Sequence, residues 1–291
     1  MKIIFHNDDF GVSHGVNSGI KDSFLKGLTT SASIRTNGPA FNEAVQLAKT
    51  KLKGMGLGLH LNLTDGKTHL PFLANSKGFY KYNFLTYLLF SYNRKIRKAI
   101  EKELDFQFKI AKTSGLKIDH VDGQDHIHMI PRIFEIVCKL CKKYCVRNIR
   151  LSREPYHHVG SREDFRPFFN SSILKLAVLN YLAKKNLAIL KKYNMRSTDA
   201  FYGVLHTNFM VTPTIKAAII NAQKLGSKTI QITSHPAKIN NPKDKIYSSP
   251  FFAKYANLEN RRKEFVTLLD PELIKFIKEN NIRLRTFKNS D

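Results

Sequence analysis

Short apolar runs alternate with longer amphipathic stretches along the whole chain. Runs rich in apolar and β-branched residues fit buried strands, and apolar residues recurring at helical spacing fit helices packed on one face. The pattern predicts strands at Ile3–His6, Ser31–Thr36, Gly56–Leu63, Ile118–Asp122, Ile149–Ser152, Ala200–Val204, Thr229–Thr233 and Arg283–Thr286. Between most of them it predicts helices at Val16–Lys26, Phe41–Lys51, Arg94–Ser114, Pro131–Tyr144, Ile173–Tyr193, Pro213–Leu225 and Pro271–Asn280. Strands alternating with helices imply a parallel sheet with crossover helices. A series of this length implies an irregular, TIM-barrel-like (β/α) barrel as a single α/β domain over residues 1–291. There is no internal repeat and no low-complexity segment.

Two stretches break the rhythm. Residues 67–93 hold an aromatic-rich insertion around Phe79, Tyr80, Tyr82, Phe84, Tyr87 and Phe90. It is placed to line a substrate groove, lie on a membrane or cap the core, and Phe79 and Tyr80 are its candidate substrate contacts. Residues 237–257, with Pro242 and Pro250, read as a long loop after the seventh strand. Long loops at that position commonly shape active sites.

Composition narrows the picture only a little. At 42% hydrophobic residues over 291 positions, the chain can bury one large core. A formal net charge of +25, from 48 Lys and Arg against 23 Asp and Glu, calls for an anionic partner: a lipid surface, a phosphorylated substrate or nucleic acid. The lysines are spread rather than blocked and no nucleic-acid-binding motif stands out, so specific nucleic-acid binding is not expected. Met1–Phe5 runs straight into Asp8 and Asp9, leaving no room for a secretory leader, and no apolar run reaches membrane-spanning length. Cytoplasmic residence, with peripheral membrane attachment as an option, is the expectation. Cys138, Cys141 and Cys145 fit a reducing compartment, and their spacing puts them on one helix face as core packing rather than as a cluster-binding motif.

The chemistry gathers after the strands. Residues 120–128 read His-Val-Asp-Gly-Gln-Asp-His-Ile-His. If the strand continued through them, His120, Asp122, Gln124, His126 and His128 would share a face. Such a face is costly in an ordinary core and natural for a metal or for acid–base chemistry. His6, Asp8 and Asp9 follow the first strand, His60 the third, Arg150 and Arg153 the fifth, and His235-Pro236 the seventh. In a parallel barrel all these carboxyl ends lie on one face, where catalytic groups collect. Asp and His donors without clustered thiolates suit a divalent cation. Adjacent Asp8 and Asp9 can divide metal binding and proton transfer, with His235 opposite them as proton donor to a leaving amine. Each residue also has a plainer reading. Asp9 can cap the first helix, His60 can be a bonded core histidine, His235-Pro236 can be a turn, and Arg150 can be a structural ion-pair partner of Glu154 or Asp122.

The opening Asp8-Asp9-Phe10-Gly11 with Asn17, Gly19 and Ile20 resembles the start of the YdjC-type carbohydrate deacetylases, which include chitooligosaccharide deacetylases. Thr29–Ser33, Asn37–Phe41, Gly58–Thr64, His120–Asp122 and Ser234–Ala237 match that family in order, and Ile149–Pro155 resembles its hopanoid-associated branch most. The resemblance implies an irregular (β/α) barrel, one divalent metal (magnesium or zinc) and removal of N-acetyl groups from an amino sugar. It implies Asp9 and His60 as metal ligands, Asp8 as general base and His235 as general acid. Arg150 would orient the aspartates or the substrate, and Asp122 would contact substrate.

Two positions depart from the family pattern. Gln124 stands where the family has a ligand His, and His6 where it has Asn. A neutral amide oxygen is a weaker ligand that favours harder ions. His6 shares parity with Asp8 and is a candidate to supply the missing imidazole, with His126 and His128 as further substitutes. The charge and the aromatic insertion open the option of a lipid-linked sugar. Ile173–Tyr193 is either an interfacial helix or an outer barrel helix with a solvated lysine face. A homodimer is a further partner expectation. The rival functions are a non-catalytic carbohydrate-binding relative, a metal-dependent phosphoesterase and a basic nucleic-acid-binding protein.

Overall fold

β1 (Lys2–Phe10) runs through the middle of a curled parallel sheet and is buried along all of its length except its first residue. The computed structural model describes residues 1–160, 166–169, 171–246 and 258–289. β1 pairs in parallel with β2 (Ser31–Ile34) on one side and β7 (Thr229–Ser234) on the other. The other strands are β3 (Gly56–Leu61), β4 (His120–Gly123), β5 (Asn148–Ile149), β6 (Ala200–Tyr202) and β8 (Arg283–Leu284). The strand order is β5-β4-β3-β2-β1-β7-β6, with β8 added beside the start of β1. The two edges curl towards each other. Ile149 N–H donates to Arg196 O at 2.9 Å and Phe201 N–H to Arg153 O at 3.0 Å. The barrel is therefore irregular, closed by loop backbone where β5 and β6 stop short. All eight expected strands are present; β2, β3, β5, β6 and β8 end earlier than expected, while β1 runs on to Phe10, β4 to Gly123 and β7 to Ser234.

The helices cover this sheet from outside, each burying an apolar stripe. α1 (His14–Lys26), capped by Ser13 rather than Asp9, packs with α2 (Phe41–Thr50) over one cluster that includes Val16, Ile20 and Ala44. α3 (Phe84–Phe90), α4 (Arg94–Thr113), α5 (Pro131–Lys143) and α7 (Ser172–Lys192) enclose the largest cluster, which includes Leu59, Val121, Phe134 and Phe201. α8 (Thr212–Lys224) and α10 (Pro271–Glu279) cover the rest around Ile3, Phe5, Ile230 and Ile232. Two short segments complete the order: α6 (Arg166–Phe169) and α9 (Glu259–Leu268). Cys138 and Cys141 pack in the core on α5, and burial pushes the Cys138 thiol up to about 12. Cys145 does not share their face; it lies past the helix end with φ 60° and is exposed.

The 67–93 insertion is a built element. Isolated bridges join Lys67 to Phe79 and Ala74 to Tyr80, and Asn83 caps α3 by accepting from Thr86 N–H. Tyr80 donates its hydroxyl to Glu103 on α4 at 2.6 Å. The 237–257 loop contains a 3-10 turn at Pro242–Ile246, and its remainder from 247 lies outside the described residues. Among the described residues no helix is long and apolar enough to cross a membrane.

Candidate metal and hydrolytic centre

Inward-facing side chains from β1, β3, β4 and the end of β5 meet in the barrel interior, all essentially buried. Arg150 is the hub. Its guanidinium grips Asp8 with both ends, Nη2–Oδ1 at 2.6 Å and Nη1–Oδ2 at 2.9 Å. It also reaches Asp122 Oδ2 at 2.6 Å and donates to His6 Nδ1 at 2.9 Å. Gln231 on β7, with its amide turned to present the oxygen, accepts from Arg150 Nε at 2.9 Å and Nη2 at 2.8 Å. A bidentate guanidinium–carboxylate pair fixes angle as well as charge. Burial pushes the Asp8 carboxyl up, but Arg150 and His60 outweigh it and hold it well below the usual carboxylate range. Room for this cluster comes from Gly58, where a Cβ would sit 2.3 Å from His120 Nε2.

His60 stands beside the hub with its two nitrogens divided. Nδ1 faces Asp122 Oδ1 at 2.8 Å and Ser33 Oγ at 3.2 Å. Nε2 faces Gln124 Oε1 at 3.2 Å and Asp9 Oδ1 at 3.8 Å. A carboxylate behind one imidazole nitrogen leaves the other as a basic lone pair, the usual support of a histidine metal ligand. Burial disfavours the His60 imidazolium, yet Asp122, Asp8 and Asp9 overcome this and raise it to about 9. Asp9, at φ 71°, is steered by Arg261 Nη2, 2.6 Å from its Oδ2, and by Arg35. Burial pushes Asp9 up, while Arg261, His60, His235 and Arg35 bring it down to about 2. The imidazole nitrogen thus faces one ionised carboxylate oxygen and one amide oxygen, donor types that suit a divalent cation, and Asp8, His60 and Asp122 offer ligand atoms within 4.8 Å of one another.

Above this floor opens a pocket of about 600 Å³. Asp8, His60, Gln124 and His235 line it, with Phe79 and Tyr80 of the insertion on its wall. His235 Nε2 lies 3.8 Å from Asp8 Oδ2. The structure thus brings Asp8, Asp9, His60, Gln124, Arg150 and His235 together, and sets Phe79 and Tyr80 beside them.

Other expected residues fall elsewhere. The strand ends at Gly123, and Gln124–Met129 is a tight helical turn with Asp125 and His126 at φ 51° and 56°. The shared face therefore stops at Asp122, since left-handed backbone re-aims every later side chain. His126 lines the pocket but its Nδ1 is bonded to Ser152 Oγ at 2.8 Å. His128 turns inward, Nε2 against Arg150 O at 3.1 Å. Neither faces His60 Nε2. His6 does share inward parity with Asp8, but its Nδ1 sits 3.0 Å from Asp8 Oδ1 and its Nε2 2.8 Å from His120 Nε2. Burial holds His6 at about 4, so its imidazole is neutral; it stands beside Asp8 and Arg150 rather than at the Gln124 position, and with His120 and Asp122 it forms a second group that could hold a metal ion. Asp122 is fully buried under the pocket floor, a positioning group for His60 and Arg150 rather than a wall residue.

Several participants carry no sequence signal. α9 delivers Arg261 to Asp9 and Glu264 to His235, whose backbone N–H donates to Glu264 Oε2 at 2.6 Å. Both are buried on a helix whose sequence, Glu-Asn-Arg-Arg-Lys-Glu, reads as solvated surface. Lys175 on α7 also lines the pocket. Gly11 serves the β1 turn. At φ +96° it donates its N–H to Asn17 Oδ1 at 2.7 Å, which ties the Asp8–Asp9 turn to α1.

Glu154 fastens the opposite rim. Its Oε2 accepts from Gly203, Val204 and Leu205 N–H at 3.2, 2.6 and 3.2 Å. Burial raises its carboxyl to about 7 although these bonds pull the other way. The folded state thus holds a proton that the unfolded chain releases near pH 4.5. Stability should fall as pH rises from about 4.5 to 7, by up to about 3 kcal/mol. Glu154→Gln mimics the protonated acid and should flatten that slope in urea melts across this window; an unchanged slope would place its cause in another group.

A curled α/β barrel with paired carboxylates and an aspartate-backed histidine at its C-terminal rim defines a class of metal-compatible hydrolytic scaffolds. The chain belongs to the YdjC-like protein family, whose model matches residues 2–279. It is 28% identical over 99% of its length to a carbohydrate deacetylase of Clostridium beijerinckii, covering 100% of that protein. It is 26% identical to one of Geobacillus stearothermophilus, covering 98% of this chain and 96% of that one. A solved structure from Enterococcus faecalis, described as a cellobiose-phosphate cleavage protein, superposes with a TM-score of 0.73 at 22% identity, covering 99% of this chain and 98% of that one. That likeness concerns the fold.

Proposed function

We propose that this protein is a carbohydrate deacetylase that hydrolyses the N-acetyl amide of an amino sugar or oligosaccharide, free or lipid-linked, using one divalent cation, magnesium or zinc. The observation that carries the reading is His60, backed by Asp122 through Nδ1 and facing Asp9 and Gln124 through Nε2. The cation would be held by these three residues, where its chemistry is to polarise the acetyl oxygen and acidify water. Asp8, exposed to the pocket and fixed by Arg150, accepts the proton of the attacking water. Held well below the usual carboxylate range, Asp8 is ionised and ready to accept that proton. His235, across from Asp8, protonates the departing amine. Acetate and a free amino sugar leave. Phe79 and Tyr80 bound the sugar on the insertion side. This reading places the enzyme in the cytoplasm, attached peripherally to an anionic membrane surface when its sugar is lipid-borne.

Acetate release from N-acetylglucosamine oligomers, measured beside elemental analysis, tests the reading. Asp8→Asn should lower kcat by about 10²–10⁴-fold with cation content kept. Cation bound with no acetate from any amino sugar would instead mark a carbohydrate-binding relative, and phosphate release from phosphate esters would mark a phosphoesterase.

A further inference from the structure

An apolar groove of about 500 Å³ lies between α3 and α7. Phe84, Leu85 and Leu88 form one wall, and Leu174, Val178 and Leu179 the other. The walls are open to water: Leu85 is 61% and Leu174 69% exposed. Exposed apolar surface of this kind on both sides of a cleft marks a binding surface. Its position says for what. Asp125 and Lys175 line both this groove and the catalytic pocket, so the two adjoin across this pair of side chains.

We infer that the groove is an aglycone subsite: the amino sugar occupies the pocket beside His60, and a hydrocarbon chain attached to it runs past Asp125 and Lys175 into the groove. This rests on the deacetylase reading and narrows its substrate to an amphiphile. A further sugar ring is the less suited occupant, because the lining is mostly apolar and only Asn83, Ser171, Asp125 and Lys175 among the groove-lining residues could meet its hydroxyls. A hydrocarbon tail needs none and gains from burial alone. The left-handed turn at Asp125 and His126 forms the β4 side of the junction, and Asp125 Oδ2 accepts from Thr64 Oγ1 at 2.9 Å. Lys175 stands on the α7 side as the one lysine among the groove-lining residues, suited to the polar linkage between sugar and chain.

The test compares the methyl and octyl glycosides of N-acetylglucosamine, both below micellar concentration, by acetate release and by calorimetric binding to the metal-loaded protein. The octyl glycoside should have at least a tenfold higher kcat/KM, the equivalent of about two buried methylenes. Leu174→Glu, a change at an exposed position, and Leu88→Glu should each remove that advantage while leaving methyl glycoside turnover unchanged. Equal turnover of the two glycosides, or an advantage that survives both substitutions, would overturn the subsite and leave the deacetylase reading standing. No acetate from either glycoside, together with octyl-selective binding lost in both variants, would keep the groove and sink the deacetylase reading.

Discussion

Arg150→Met is expected to cost about 3–5 kcal/mol of stability at pH 7 and to take acetate release to background. The guanidinium is 1% exposed and holds two carboxylates, Asp8 at the pocket floor and the fully buried Asp122. Removing one partner of a buried ion network leaves the others charged, desolvated and unpaired. The pH dependence identifies the cause. In the native protein the Asp8 carboxyl is held well below its ordinary value, with burial opposed by Arg150. That stabilisation is present above the unfolded value near 4 and is lost as pH falls through the folded one. Without Arg150, burial dominates and both carboxyls are pushed up instead. The penalty should therefore shrink when the variant is unfolded in urea at pH 5 rather than 7, as the stranded groups take up protons. Arg150→Lys should recover part of the stability but little activity, because an ammonium cannot grip both oxygens of Asp8. A penalty independent of pH would mean that lost packing against Phe201, 5.1 Å from the guanidinium, dominates.

The eight strands were legible because each holds a short run rich in apolar or β-branched residues, such as Ile3–Phe5 in β1 and Ile230 and Ile232 in β7, set between longer helical patterns. Helix ends followed from Pro131, Pro213 and Pro271 at first-turn positions and from basic residues in last turns. α3 and α9 were not legible, for opposite reasons. Phe84–Phe90 is apolar on nearly every side, so no helical period emerges from it. Glu259–Leu268 is polar on nearly every side, because what it buries is Arg261 and Glu264 rather than an apolar stripe.

The same limit governs the site. Asp8, Asp9, His60 and His235 follow directly from strand ends in a parallel barrel, since the fold itself collects them. Of the groups that aim them, Arg150 was legible at the end of the fifth strand, but the others were not. Asp122 behind His60 and Arg261 behind Asp9 act across separations of 62 and 252 positions, and no local pattern encodes such a pair. The run from Gln124 to His128 misleads for a different reason. Alternation predicts a shared face only while the backbone stays extended, and two successive left-handed residues end that here. The turn they make leaves Gln124, which precedes it, facing His60 and sends His126 and His128 elsewhere.

Three substitutions around His60 separate ligand, support and selectivity. His60→Ala should abolish cation binding and lower acetate release at least 10³-fold, because it removes the imidazole nitrogen that faces both Asp9 and Gln124. Asp122→Asn leaves the ligand but weakens its backing, and should lower affinity about 10–100-fold. Gln124→His runs the other way. An imidazole in place of an amide oxygen favours zinc over magnesium, so zinc affinity should rise by at least about tenfold while magnesium affinity falls. Calorimetric titration with each ion reads all three. If His60→Ala retains zinc at native affinity, the cation sits among other donors, and the nearest alternative is His6, His120 and Asp122 deeper in the barrel. In that event Gln124→His should leave zinc affinity unchanged as well, so the two variants give concordant answers about where the ion lies.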